Sequence, residues 1–241
     1  MSPVAFCCLN WSQSGMENPI VESLEGVTLV GAGPFAKGLL GRALALAPTL
    51  VAADGGANRL LRIGHTPQAV IGDLDSISNP TRAALAGRLH QITEQNSTDF
   101  DKSLDAIRAP FVLGLGFWGA RVDHGLAALS GLMRRPDRRC ILLGGGDLVF
   151  LAPSRLRLDL PARVRVSLFP LIPLRGTSRG LVWPIDGLTL APGGRVGTSN
   201  AAVGGRIDLE FERSGMLIIL PQAHLPAVLR AFDGRPDVRG G

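Results

Sequence analysis

Between Gly26 and about Leu151, short apolar runs alternate with amphipathic stretches. The runs at 28–30, 49–53, 69–71, 111–115 and 140–143 are bounded by Gly, Pro or Asp and predict buried strands. Between them, 36–47, 81–89, 99–108 and 125–133 carry helical spacing. Strands alternating with helices of this length imply crossover units and a parallel sheet buried on both faces. After Pro153 the pattern changes. Segments 155–160, 163–168, 206–212 and 216–220 predict strands, and Arg-Leu-Arg-Leu-Asp-Leu from Arg155 and Arg-Ile-Asp-Leu-Glu-Phe-Glu from Arg206 alternate polar with apolar residues. A period of two leaves one face wet, which places these strands in antiparallel sheets. Pro192-Gly193-Gly194 and Gly204-Gly205 supply turns, and the longest helix foreseen there is the tail at 225–232. A boundary is therefore expected near residues 151–154, separating an α/β unit at 26–152 from an antiparallel unit at 153–241.

Composition narrows this picture only slightly. The 241 residues are 46% hydrophobic and 19% charged, enough for a sizeable core. Basic residues outnumber acidic ones by 25 to 20, and the only lysines are Lys37 and Lys102, so the net +5 is almost all arginine. Arginine forks onto carboxylate or phosphate, so an anionic ligand is permitted but not required. Without a dense basic cluster this charge does not support nucleic-acid binding. Cys7, Cys8 and Cys140 offer neither a disulfide framework nor a spaced metal pair, which points to a reducing compartment and a cytoplasmic location. The first 26 residues lack Lys and Arg, and no apolar run approaches the ~20 residues of a membrane helix, so neither a secretory signal nor a membrane association is expected. Residues 1–25 are expected to be a disordered leader, with Met16 a second start.

Chemistry concentrates where the strands end. In an open parallel sheet, ligands bind outside the carboxyl ends of the strands. Here those ends run into Asp54-Gly55-Gly56-Ala57-Asn58, Gly72-Asp73-Leu74-Asp75-Ser76 and Ser97-Thr98-Asp99-Phe100-Asp101-Lys102. Carboxylates converging on one rim repel each other unless a cation sits among them, and magnesium typically uses one or two carboxylates plus phosphates and water. Asp73 and Asp75, two apart in an extended segment, would point to one side; an Asx turn accounts for the same residues equally well. Asp99 is placed to cap the helix that follows, whose start also suits phosphate. Lys102 in that first turn is electrostatically out of place unless an anion joins it; the plain alternative is a solvated lysine. Gly116 to His124 follows another strand, and its Arg121 can neutralise a transferring phosphoryl group. His124 reads as a structural hydrogen bonder.

A rival pattern overlaps this one. Gly31-Ala32-Gly33-Pro34-Phe35-Ala36 fits G-x-G-x-x-A after a strand, with Asp54 roughly 20 residues later, the fingerprint of an NAD- or FAD-dependent oxidoreductase. That reading leaves Asp73, Asp75 and Asp99 without a task, whereas phosphoryl transfer uses them.

In order along the chain, Ala53 to Leu60, Ile71 to Ile77, Ser97 to Lys102 and Arg121-Val122-Asp123-His124 resemble the motifs of the thiamine pyrophosphokinase family. The resemblance continues through Ser167-Leu168-Phe169-Pro170-Leu171, Gly180-Leu181-Val182-Trp183-Pro184 and Gly197-Thr198-Ser199-Asn200, covering about residues 26–220. It implies a parallel, Rossmann-like α/β domain followed by an antiparallel β-sandwich, in a homodimer with active sites between subunits. The implied reaction moves the pyrophosphoryl group of ATP to the hydroxyethyl oxygen of thiamine and releases AMP. By resemblance Asp73, Asp75 and Asp99 hold Mg²⁺. Thr98, Lys102 and Arg121 lie on the phosphates, with Asp54, Gly55 and Asn58 near the nucleotide. Asp123 orients or deprotonates the thiamine hydroxyl. Trp183, Ser199 and Asn200 form the vitamin pocket, contributed by the partner chain. Read from the residues alone, a core aromatic in the sandwich is the lesser alternative for Trp183, and Ser199-Asn200 equally suit a hairpin. Ala120 stands where the family usually has a glycine, Phe117-Trp118 puts bulk where small residues are common, and Glu94 replaces a frequent aspartate. A non-catalytic nucleotide or thiamine sensor would retain the same motifs.

Overall fold

The computed structural model describes residues 18–119 and 121–233. Residues 1–17, which include Cys7 and Cys8, and Ala120 lie outside that range; of the stretch read as a leader, Val21–Glu22 forms a strand.

The chain runs through β1 (Val21–Glu22), β2 (Val27–Val30), α1 (Leu39–Leu46), β3 (Thr49–Ala53), α2 (Gly56–Arg62), β4 (Ala69–Gly72) and α3 (Asn79–Ala84). It continues through β5 (Leu89–Gln91), α4 (Asp99–Ala106), β6 (Ile107–Arg108), β7 (Val112–Leu115), α5 (Val122–Arg134), β8 (Cys140–Gly144) and β9 (Asp147–Leu151). The remainder comprises β10 (Arg155–Leu160), β11 (Arg165–Pro170), β12 (Leu174–Arg179), β13 (Thr189–Leu190), β14 (Gly197–Ala201), β15 (Gly205–Phe211), β16 (Met216–Pro221) and α6 (Leu225–Asp233).

One ten-stranded sheet, in the order β14-β11-β16-β9-β8-β7-β2-β3-β4-β5, crosses the boundary expected near 151–154. From β8 to β5 the neighbours are parallel; from β14 to β8 they are antiparallel. Strands β2, β4 and β7 are buried at every position, as a sheet covered on both faces requires. A second sheet, β10-β15-β12-β13, shares an apolar core with the antiparallel end: Leu156, Leu158, Ile207 and Leu209 join Val166, Leu168, Ile218 and Leu220. That core runs on beneath α1 and α2, while α4 and α5 cover the opposite face.

On β10, Leu156, Leu158 and Leu160 are buried, and the arginines between them face out. Arg155 and Arg157 are 78% exposed and pair with Glu210 and Asp208 across the β10–β15 ladder. Such pairs contribute at most about 1 kcal/mol each, so the apolar face supplies the cohesion.

Three sequence expectations shift. The stretch 54–58, whose Gly-Gly-Ala-Asn sequence reads as a phosphate or nucleotide loop, instead holds the start of α2 at Gly56. The helix foreseen at 99–108 ends at Ala106, since Ile107 and Arg108 pair with Val21 and Glu22. Residues 197–201 form β14, an edge strand, rather than a hairpin turn. Among the described residues no helix is long and apolar enough to cross a membrane.

Candidate active site

The parallel strands deliver their ends to one cleft of about 610 Å³. Gly31 to Pro34 after β2, Asp54 and Gly55 after β3, Asp73 and Ser76 after β4, the start of α4, and the loop from β7 to α5 line it.

Asp54, Asp73 and Asp75 each offer an oxygen within 4.8 Å of the others. Asp54 is 5% exposed, and its Oδ1 is buried without a hydrogen-bond partner. A buried carboxylate oxygen left unsatisfied is costly, and a hard cation offsets that cost while relieving repulsion among the three. The donor set therefore fits Mg²⁺. Backbone strain accompanies it, with Asp54 at φ 41° and Leu74 at φ 66°. Of the two sequence readings of residues 73–75, the extended segment is not found and the Asx turn is. These residues form a turn in which Asp75 N–H donates to Asp73 Oδ1 at 3.3 Å. The turn and the carboxylate cluster are one feature.

Asp99, expected among the metal ligands, stands beside this trio. Its Oδ1 accepts from Asp73 N–H at 3.3 Å and lies 3.7 Å from Lys102 Nζ. Burial, then the Asp73 and Asp54 charges, push its carboxyl above the usual carboxylate range. Gly72, at φ 155°, admits this approach, since a Cβ there would lie 2.8 Å from Asp99 Oδ1. Lys102 is not a solvated lysine. It is 4% exposed, and its ammonium sits 3.5 Å from Asp73 Oδ2.

The first turn of α4 is rigidly set. Thr98 caps the helix, and Asp101 returns the capping box. Asp101 is fully buried and also accepts from Arg134 at 2.6 Å and Arg135 at 2.5 Å, tying α4 to the end of α5. Sequence reasoning passed over Asp101; its place at the third position after a Thr cap was the available signal. Asp54 was read as nucleotide-binding, and its membership of the carboxylate cluster needed the β3–β4 pairing.

Other expected residues fall elsewhere. Asn58 donates to Ser76 O at 2.8 Å and accepts from Ser78 N–H at 3.0 Å, so its amide clamps the loop after β4 and is not among the cleft-lining groups. Gly55 lines the cleft as the residue before α2. Arg121 lines the cleft, and Asp123 accepts from it at 3.1 and 2.5 Å. That guanidinium holds the Asp123 carboxyl down to about 2. Trp183, 60% exposed, and Ser199, at φ 62°, lie with β14 at the far end of the ten-stranded sheet. Asn200 is buried, its amide accepting from Trp183 N–H and donating to Trp183 O, which fixes the tryptophan backbone.

The oxidoreductase reading fails on the glycine motif. Helix α1 starts at Leu39, after a left-handed Gly38, so no helix N-terminus faces a pyrophosphate at Gly33. Gly31 and Gly33 instead let the loop cross Gly116: Gly33 N–H donates to Gly116 O at 3.0 Å, and a Cβ on Gly116 would lie 2.7 Å from both Gly31 O and Gly33 O.

Residues 40–142 match the family described as thiamin pyrophosphokinase, catalytic domain. That span holds Asp54, Asp73, Asp75, Asp99, Lys102, Arg121 and Asp123 but not Trp183. The chain is 27% identical over 195 residues to thiamine pyrophosphokinase 1 of Arabidopsis thaliana, covering 66% of this chain and 73% of that relative. It is 28% identical over 185 residues to thiamine pyrophosphokinase 1 of Oryza sativa subsp. japonica, covering 62% and 70%. In fold it is similar to the thiamin pyrophosphokinase of Candida albicans, with TM-score 0.69 and 16% identity over 84% of this chain and 93% of the other. The yeast thiamin pyrophosphokinase structure gives TM-score 0.69 and 19% identity over 88% and 95%. At those identities the structural likeness establishes the fold alone.

Proposed function

We propose that this chain is a member of the thiamin pyrophosphokinase family and transfers the pyrophosphoryl group of ATP to thiamine, giving thiamine diphosphate and AMP. The observation that carries this reading is the juxtaposition of Asp54, Asp73 and Asp75 with buried Lys102 at the strand ends. A site with both carboxylates and a sequestered cation suits a polyphosphate with its metal.

In this reading Asp54, Asp73 and Asp75 hold Mg²⁺, with Asp99 beside them. The metal supplies charge neutralisation on the phosphates. The thiamine hydroxyl oxygen forms a bond to the β-phosphorus and gives up its proton to solvent; the bond from that phosphorus to the oxygen bridging the α-phosphate breaks, and AMP leaves with that oxygen and the bond's electron pair. Lys102 and Arg121 neutralise phosphate charge, and Thr98 offers its hydroxyl from the helix start. Asp123, kept ionised by Arg121, accepts a hydrogen bond from the thiamine hydroxyl and orients it. With its carboxyl at about 2 it is a poor proton acceptor near neutrality, so orientation is the role that its environment supports.

We further infer a homodimer that functions in the cytoplasm, with a Rossmann-like unit and a β-sandwich joined through the long sheet. Six strands lie between β14 and β3, so seven strand steps, roughly 34 Å of sheet at ~4.8 Å per step, separate them. A chain cannot lay its own Trp183 over its own carboxylates at that distance, but a second copy can. The exposed apolar residues Val182, Trp183 and Val203 on one half, and Val122 and Leu126 on the other, support such a contact. Across it, the Trp183 ring would face the thiamine cation, with Asn200 setting its backbone and Ser199 alongside.

Incubation of the full chain with ATP, Mg²⁺ and thiamine tests the reaction. AMP and thiamine diphosphate are expected in equal amounts. ADP with thiamine monophosphate, or ligand binding without turnover, would overturn it.

A further inference from the structure

We propose that Trp118 is the stacking wall for the base of the nucleotide, a subsite that rests on reading this cleft as a nucleotide site. Trp118 follows β7, lines the cleft and is 37% exposed. Its indole is wedged at two glycines. A Cβ on Gly125, in α5, would lie 3.1 Å from Trp118 Cε3, and one on Gly144, at the end of β8, 3.2 Å from Trp118 Cβ and Cδ1. A side chain at either position would crowd the ring, so the two glycines ease its close approach. Phe117 packs on Phe100 with ring centroids 4.8 Å apart, and both line the same stretch of cleft with the small side chains of Ala127 and Ala128.

The position of this aromatic group along the sheet sets the ligand. Carboxylates follow β3 and β4; Trp118 follows β7, with β2 and β3 lying between β7 and β4. Three strand steps span about 14 Å. One cleft of one chain thus has a cation-and-carboxylate end for a metal polyphosphate and a flat aromatic end at a distance that an extended nucleoside triphosphate bridges. Base-on-aromatic stacking needs no base-specific hydrogen bond, so it contributes affinity more than choice among bases. Thiamine is the weaker candidate for Trp118, because the exposed Trp183 on the other half already offers a ring to it.

The chain has no tyrosine and three tryptophans, so its emission reports on indole alone. Full-length protein, W118L and W118F are titrated with ATP and with inorganic tripolyphosphate in Mg²⁺, by emission and by calorimetry. ATP is expected to quench wild-type emission, with the quench lost in W118L. W118L should bind ATP about tenfold more weakly and W118F less than about threefold, with tripolyphosphate affinity equal in all three. In turnover, W118L should raise KM for ATP and leave KM for thiamine unchanged. Equal weakening of tripolyphosphate, a rise in KM for thiamine instead, or unchanged ATP affinity would overturn the subsite. Turnover indifferent to W118L removes the subsite and leaves the pyrophosphokinase reading intact. ATP binding with Trp118 quenching but no thiamine turnover does the reverse, and a wild-type protein that binds no ATP overturns both.

Discussion

The parallel end of the ten-stranded sheet and the four-stranded sheet packed on its antiparallel end use charge in opposite ways. On the four-stranded sheet, arginines of β10 alternate with leucines and meet acidic partners on β15 at the exposed face, as Arg157 meets Asp208 at 3.2 Å. At the parallel end, charge goes inward: Asp101 is fully buried, Lys102 is 4% exposed and Asp54 is 5% exposed. Solvent satisfies the first set at little cost to folding. The second set is tolerable only where partners or a ligand replace water. Desolvated, unequally satisfied charge therefore marks the end of the ten-stranded sheet where chemistry is built, while paired surface charge marks the four-stranded sheet that frames it.

The sharpest way to break this contrast is to test whether the two ends work together. Asp73→Asn and Trp183→Ala are each expected to lower turnover about 100-fold or more. Randomly mixed dimers of the two defective chains should regain about a quarter of wild-type activity, because half are hybrids with one intact site each. Recovery near zero in chains that still dimerise would mean that each chain completes its own site.

Stability measurements probe the same contrast at smaller scale. Asp101→Ala leaves Arg134 and Arg135 facing an empty buried position and should cost about 3–5 kcal/mol in urea unfolding. Arg157→Ala, on the exposed face of the four-stranded sheet, should cost less than about 1 kcal/mol. Equal losses would remove the distinction between inward and outward charge.

Metal dependence follows. Asp75→Asn relieves repulsion in the Asp54, Asp73 and Asp75 cluster, so the metal-free variant should melt a few degrees above wild type. The same change should abolish the rise in Tm that Mg²⁺ gives the wild-type protein. A variant that is still stabilised by Mg²⁺ to the wild-type extent would place the ion elsewhere.

The smallest expected effect concerns Asp123. Its folded carboxyl is held at about 2 by Arg121, below the unfolded value, so its contribution to stability is complete above the unfolded value and is lost as pH falls through about 2. Carbon-detected NMR should find its titration midpoint near 2, and Arg121→Ala should return it toward the ordinary carboxylate range. An unchanged midpoint in that variant would remove the pair as the cause.

Much of this contrast was legible before any coordinates. The predicted strands at 49–53, 69–71, 140–143, 155–160 and 216–220 lie within observed strands, because burial on one or both faces writes a local period into the chain. Helix α2 was not legible, since it opens on Gly55-Gly56, which reads as a loop. The cap at Thr98 was set one residue late, at Asp99, because both residue types cap helices and only the hydrogen bond from Asp101 N–H to Thr98 Oγ1 distinguishes them.

The sequence by itself determined the change from buried runs to alternating strands, the acidic strand ends and the oddity of Lys102, because each is a property of neighbours along the chain. Only the tertiary structure decided that Asp54, rather than Asp99, is the third carboxylate with Asp73 and Asp75, that Asn58 clamps a loop, and that Trp183 lies at the opposite end of one continuous sheet. Those outcomes depend on which strands pair across long separations. Strand order is settled by packing and loop closure over the whole chain, and no window of local periodicity contains it.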